Sequence, residues 1–90
     1  MCRSASMRTE PPALTVYSRN HCHLCEEMIE ALRRLQGLYR FEVTVIGVDG
    51  DPELERRHGV RVPVLTHGER ELCHYALDTA GVTAYLENFR

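Results

Sequence analysis

Two cysteines three residues apart stand where a strand-like run gives way to a helix-like one. No other feature constrains the chain as much. Ala13-Leu14-Thr15-Val16-Tyr17 reads as strand, the run from Glu26 to Leu35 reads as helix, and Arg19-Asn20-His21-Cys22-His23-Leu24-Cys25 joins them. A Cys-x-x-Cys at such a junction places its first sulfur at a helix N-terminus. Unpaired backbone N–H groups and the positive end of the helix dipole favour a thiolate there. The thiolate is the attacking form in disulfide exchange, so the junction points to that chemistry.

The rest of the chain is compatible with it. Ninety residues make one small domain, long enough for a core without staples. A net charge of −2 gives no ground for nucleic-acid binding. All eleven basic residues are Arg, and the pairs Arg33-Arg34 and Arg56-Arg57 read as solvated helix faces. No run approaches the ~18 apolar residues of a membrane-spanning helix. Residues 1–12 lack the apolar core of a signal peptide and read as a disordered tail ending at Pro11-Pro12. The expected location is therefore the cytoplasm, where structural disulfides are rare. Four cysteines in such a chain point to redox or metal chemistry.

Residues 13–90 read as the folded domain. Ala13 to Ser18 is a first strand with Leu14 and Val16 buried and Tyr17 a further candidate for burial. Leu24, Met28, Ile29, Leu32 and Leu35 form one face of an amphipathic helix that Gly37 stops. Phe41, Val43, Val45 and Val48 mark a second strand, parallel to the first because a helix separates them. Asp51 suits an N-cap and Pro52 a first helical position, so a short helix follows and ends at Gly59. Val60 to Thr66 and Arg70 to His74 form a hairpin about Gly68-Glu69, with Pro63 at a strand start or edge. Asp78 or Thr79 caps a last helix carrying Val82, Tyr85, Leu86 and Phe89 at helical spacing, which Gly81 weakens. The order is β-α-β-α-β-β-α.

In this frame Cys22 is the exposed nucleophile and Cys25 the resolving thiol one turn on. Cys22 attacks a substrate disulfide, and Cys25 then attacks Cys22 to release the reduced product. Arg19, His21 and His23 are local cations or part-time cations that would lower the Cys22 pKa, with Glu26 and Glu27 opposing. In Cys-x-x-Cys sites a thiol is commonly lowered from about 8.5 to roughly 3.5–7.5. The competing readings are plainer. Zinc would need four ligands, and Cys73 and His74, adjacent on a strand, point to opposite faces. His21 and His23 can equally be exposed polar residues. Cys73 reads as a small core residue, and Cys2 as incidental.

Residues 13–90 resemble the thioredoxin superfamily, and within it the small glutaredoxin-like proteins. Three features carry the resemblance: the strand running into Arg19 and the Cys22/Cys25 pair, the segment Val62-Pro63-Val64, and the order of the elements. It implies an α/β thioredoxin-like fold, a central four-stranded mixed sheet flanked by helices. It also implies a cis bond before Pro63, a substrate strand on the backbone of Val62, and substrate contacts from Arg19 and His23. Implied too are a monomer, protein or small-molecule disulfides as substrates, no membrane or nucleic-acid partner, and no bound cofactor. Glutathione or a thioredoxin-type system would supply electrons. The departures are His23-Leu24 between the cysteines, and Glu71-Leu72-Cys73-His74-Tyr75 where glutaredoxins carry a Gly-Gly that helps hold glutathione. The alternative from another class is a non-catalytic binding or adaptor protein, including one that binds metal through the same cysteines.

Overall fold

In the computed structural model, which describes residues 11–88, three helices pack on one four-stranded sheet. The elements are β1 (Ala13–Ser18), α1 (His23–Leu35), β2 (Glu42–Gly47), α2 (Pro52–His58), β3 (Val64–His67), β4 (Arg70–His74) and α3 (Thr79–Glu87). The strand order is β2-β1-β3-β4, with β1 parallel to β2 and antiparallel to β3, and β3 antiparallel to β4. The sheet is thus mixed, as expected. Residues 1–10 of the expected tail, including Cys2, and Phe89 of the last helix lie outside the described residues.

Strand alternation sorts the side chains between two faces. Leu14 and Val16 point to one face, where they meet Leu65 of β3, Met28, Leu32 and Leu35 of α1, and Val82 and Leu86 of α3. Tyr17 points to the other face and stacks on His58 at the end of α2, with ring centroids 4.1 Å apart. The apolar core therefore lies mainly under α1 and α3, and α2 covers the opposite face. Tyr39 anchors the end of α3 by donating its hydroxyl to Glu87 at 2.8 Å.

The caps match their sequence signals. Asp51 accepts from the N–H groups of Glu53 and Leu54, and Asp78 accepts from Gly81 at 3.1 Å. Gly68, first of the two loop residues in the β3–β4 hairpin, has φ +64°, which primed hairpin turns require.

Four expectations change. Val60 and Arg61 are not strand: the Arg61 N–H donates to the His58 carbonyl, so the chain is still turning out of α2, and β3 begins only after Pro63. Leu24 is 46% exposed, because Cys25 takes the inward position of the first turn of α1. Val45 is 43% exposed, because β2 is an edge strand; Phe41 and Val48, just beyond its ends, are the buried residues. Helix α1 is closed by Gln36 in right-handed geometry, and Gly37 needs no positive φ.

Candidate functional site

One end of the sheet gathers the candidate residues, and strand register shows why. Tyr17 pairs with Val64, and Val64 pairs with His74, while Ser18 pairs with Gly47. The C-terminal ends of β1, β2 and β4 therefore meet the N-terminal start of β3. The loop to Cys22, the turn at Asp49, the Val62-Pro63 segment and Tyr75 all emerge there.

Cys22 is the N-cap of α1. Its backbone is extended, with φ −110° and ψ 107°, its carbonyl accepts from Glu26 at 3.1 Å, and its sulfur accepts from the Cys25 N–H at 3.2 Å. A side-chain acceptor at this position satisfies an otherwise orphaned helix N–H, and a negative sulfur would be favoured there. Cys22 and Cys25 are joined as a disulfide, with Cα atoms 5.2 Å apart. Cys22 is half-buried and Cys25 only 2% exposed. One sulfur is thus reachable and the other sits beneath it.

The remaining predicted residues fall in different places. The Val62–Pro63 bond is cis, and Pro63 is buried while Val62 is half-buried. His23 projects into solvent and pairs with Glu27 at 2.8 Å, one turn on. His21, exposed, takes a left-handed φ of +57° in the turn before the cap. Arg19 points into a carboxylate cluster. Its Nη1 donates to Asp49 at 3.0 Å and to Glu55 at 2.7 Å, and its Nη2 donates to Glu55 at 2.7 Å and to the Gly59 carbonyl at 2.9 Å. The bidentate bond to Glu55 raises the Arg19 pKa and holds the Glu55 carboxyl below its ordinary range. Cys73 packs against the core from β4, and burial pushes its thiol up. Among the described residues no group of three His, Cys, Asp or Glu side chains is placed to hold a metal ion.

Sequence reasoning missed Asp49, Glu55, Gly59 and Tyr75 as neighbours of this end. Arg19 lies 30 residues from Asp49 and 36 from Glu55, and no local pattern signals such pairs. Tyr75 follows β4 with φ +67°, unusual for a bulky residue. Its N–H donates to the Pro63 carbonyl at 2.8 Å and its hydroxyl to the Val60 carbonyl at 3.2 Å. Tyr75 thus ties the end of β4 to the segment from Val60 to Pro63. Beside it, Leu24, Glu27, Met28, Ala31, Tyr75 and Leu77 line an open groove of about 210 Å³.

A mixed sheet in this order, a cysteine pair at the start of the first helix and a cis-proline before the third strand define a thioredoxin-like fold. Thioredoxin 1 from Thermosipho africanus shares it at a TM-score of 0.58 and 19% identity, covering 84% of this chain and 96% of that one. Within that fold the chain belongs to the glutaredoxin-like domain family (DUF836), whose model matches residues 13–87. It is similar to protein Ne2328 from Nitrosomonas europaea, at 51% identity and a TM-score of 0.79, covering 87% of this chain and 94% of that one. It is also similar to protein XcR50 from X. campestris, at 36% identity and a TM-score of 0.64, covering 83% and 96%. Among curated proteins no match is found. Among the described residues no helix is long and apolar enough to cross a membrane.

Proposed function

We propose that this chain is a thiol–disulfide oxidoreductase, with Cys22 as nucleophile and Cys25 as resolving thiol. The observation that carries the reading is the N-cap placement of Cys22, its sulfur facing the Cys25 N–H and within bonding reach of the buried Cys25 sulfur. The Cys22 thiolate attacks one sulfur of the substrate disulfide and displaces the other as a thiolate, which takes up a proton. Cys25, as thiolate, then attacks the Cys22 sulfur and releases the second substrate thiol. The substrate gains two electrons and the protein is left as the Cys22–Cys25 disulfide. A thiol donor returns the electrons; glutathione or a thioredoxin-type system would serve.

The substrate would lie as an extended segment on the backbone of Val62, beside Pro63, with His23 at the rim. Protein or small-molecule disulfides both fit this scheme. The stretch from Glu71 to Tyr75 carries no Gly-Gly, which favours peptide disulfides over glutathione as the substrate. We place the protein as a cytoplasmic monomer, acting without a bound cofactor.

Reduction of a peptide disulfide with dithiothreitol as donor tests the assignment. Wild type turns over and Cys22→Ser falls to the uncatalysed rate, while reduced Cys25→Ser, freed of dithiothreitol before the peptide disulfide is added, accumulates a mixed disulfide at Cys22 that mass spectrometry detects. Equal rates for wild type and Cys22→Ser with several donors would leave a binding or adaptor module as the better description.

A further inference from the structure

Between the end of β1 at Ser18 and the cap at Cys22 lie only three residues, and the first two are held from outside. Arg19 is gripped by Glu55 of α2 through two parallel bonds of 2.7 Å, by Asp49 at 3.0 Å and by the Gly59 carbonyl at 2.9 Å. The backbone N–H of Asn20 donates to the second oxygen of Asp49 at 2.7 Å. Asp49 therefore binds two consecutive residues of the same link, one through each carboxylate oxygen. Gly59 completes the cluster by having no side chain. A Cβ there would press on the Glu55 carbonyl and carboxylate and come within 3.0 Å of Arg19 Nη2.

A partly exposed ion pair of ordinary kind contributes little to stability. This cluster differs in geometry and in place. The fork-to-fork pairing fixes orientation as well as distance, and only arginine can make it. The link it fixes leads directly into the turn at His21 and the sulfur of Cys22. Two carboxylates face the one guanidinium, so its charge is already neutralised locally.

We propose that Glu55 and Asp49 are positioning residues for Cys22, which hold Arg19 and Asn20 so that the Cys22 sulfur stands at the N-terminus of α1. The inference rests on Cys22 being the nucleophile. It gives Arg19 a mechanical role in place of a cation offered to the thiolate or to substrate. Misplacing a reacting atom by about 1 Å can cost on the order of a hundredfold in rate. A loosened link should cost part of that.

The test uses the reduced full chain in a Cys25→Ser background. The rate of mixed-disulfide formation at Cys22 with a neutral peptide disulfide is followed as a function of pH. Positioning and charge give different profiles. For Glu55→Gln the clamp predicts an alkaline plateau about tenfold lower, with its midpoint at or above that of wild type. Arg19→Lys keeps the charge but not the fork, and should fall alongside Glu55→Gln. Asp49→Asn should fall in the same direction. Glu53→Gln, on the same helix but outside the cluster, serves as the unchanged control. If Arg19 instead acts as a cation on Cys22, Glu55→Gln unmasks it and displaces the profile to lower pH, and Arg19→Lys resembles wild type. Either result, or a Glu55→Gln profile identical to wild type, overturns the proposal. Circular dichroism at the assay temperature confirms that each variant is folded, and Asp49→Asn carries the test should Glu55→Gln fail to fold. The profile is a single-turnover reading of one thiol. It remains measurable if turnover by the Cys22–Cys25 pair fails, so the two assignments fall separately.

Discussion

His58 shows how one side chain couples this fold to pH. It stacks on Tyr17, and its Nδ1 is buried without a hydrogen-bond partner. Burial holds its pKa below the ordinary histidine value. The charges of Arg57 and Arg61 push it the same way, and Glu71 opposes them. A histidine lowered in the folded state binds fewer protons there than when unfolded. Stability therefore falls as pH drops below the ordinary value of 6.5 toward the lowered one. Urea melts at pH 7.5 and pH 5 should show wild type losing more stability on acidification than His58→Phe, which keeps the ring stack and has no proton to gain. Cys73 makes a second prediction at this scale. Its thiol is raised mainly by burial, and the thiolate is the reactive form. Iodoacetamide at neutral pH should label reduced Cys22 well before Cys73, as peptide mapping would show.

At the scale of elements, the caps explain glycines that propensity alone would count as weaknesses. Gly81 lies inside α3, where glycine is about 1 kcal/mol worse than alanine. A Cβ there would run into the Asp78 carboxylate that caps the helix. Gly81→Ala should therefore not stabilise the protein, whereas the same change in an Asp78→Ala background should recover up to about 1 kcal/mol, read by urea denaturation. Helix α2 has no buried residue and is held by its ends and by Glu55. Loss of the Asp51 cap should cost about 1 kcal/mol in Asp51→Ala. The contribution of Glu55 carries a pH signature of its own. Its carboxyl is held low by Arg19, so its stabilisation is present above the ordinary carboxylate range and is lost as pH falls through the lowered value. The stability gap between wild type and Glu55→Gln should be open at pH 7 and close in strong acid.

For the molecule as a whole, the strand order decides which apolar residues matter. β1 and β3 are central, and Leu65 is fully buried between α1, α3 and the sheet. Leu65→Ala should cost about 2–5 kcal/mol, while Leu38→Ala, 78% exposed in its loop, should stay within about 0.5 kcal/mol. The same topology accounts for what could be read in advance. Leu14, Val16, Met28, Leu32 and Val82 follow the periods of 2 and 3.6, which depend only on near neighbours in the chain. Leu24 and Val45 obey the same periods yet are exposed, because one lies on the rim of the first helical turn and the other on an edge strand. The limits of β3 were hidden for a related reason. Val60 and Arg61 have strand-like composition, but the turn out of α2 uses the Arg61 N–H before the sheet can.

By itself the sequence determined the elements, their order, and the junction at which Cys22 caps a helix. Each follows from caps, turn residues and apolar spacing within about ten residues. Only the tertiary structure decided what surrounds that junction. Arg19, three residues before Cys22, reads locally as a cation for the thiolate. The fold brings Asp49 and Glu55, 30 and 36 residues away, against it and turns it into the back of the loop. Tyr75 is likewise carried to Pro63 by the pairing of β4 with β3. Side chains so distant in sequence have no shared period to reveal them; the register of the strands alone sets them side by side.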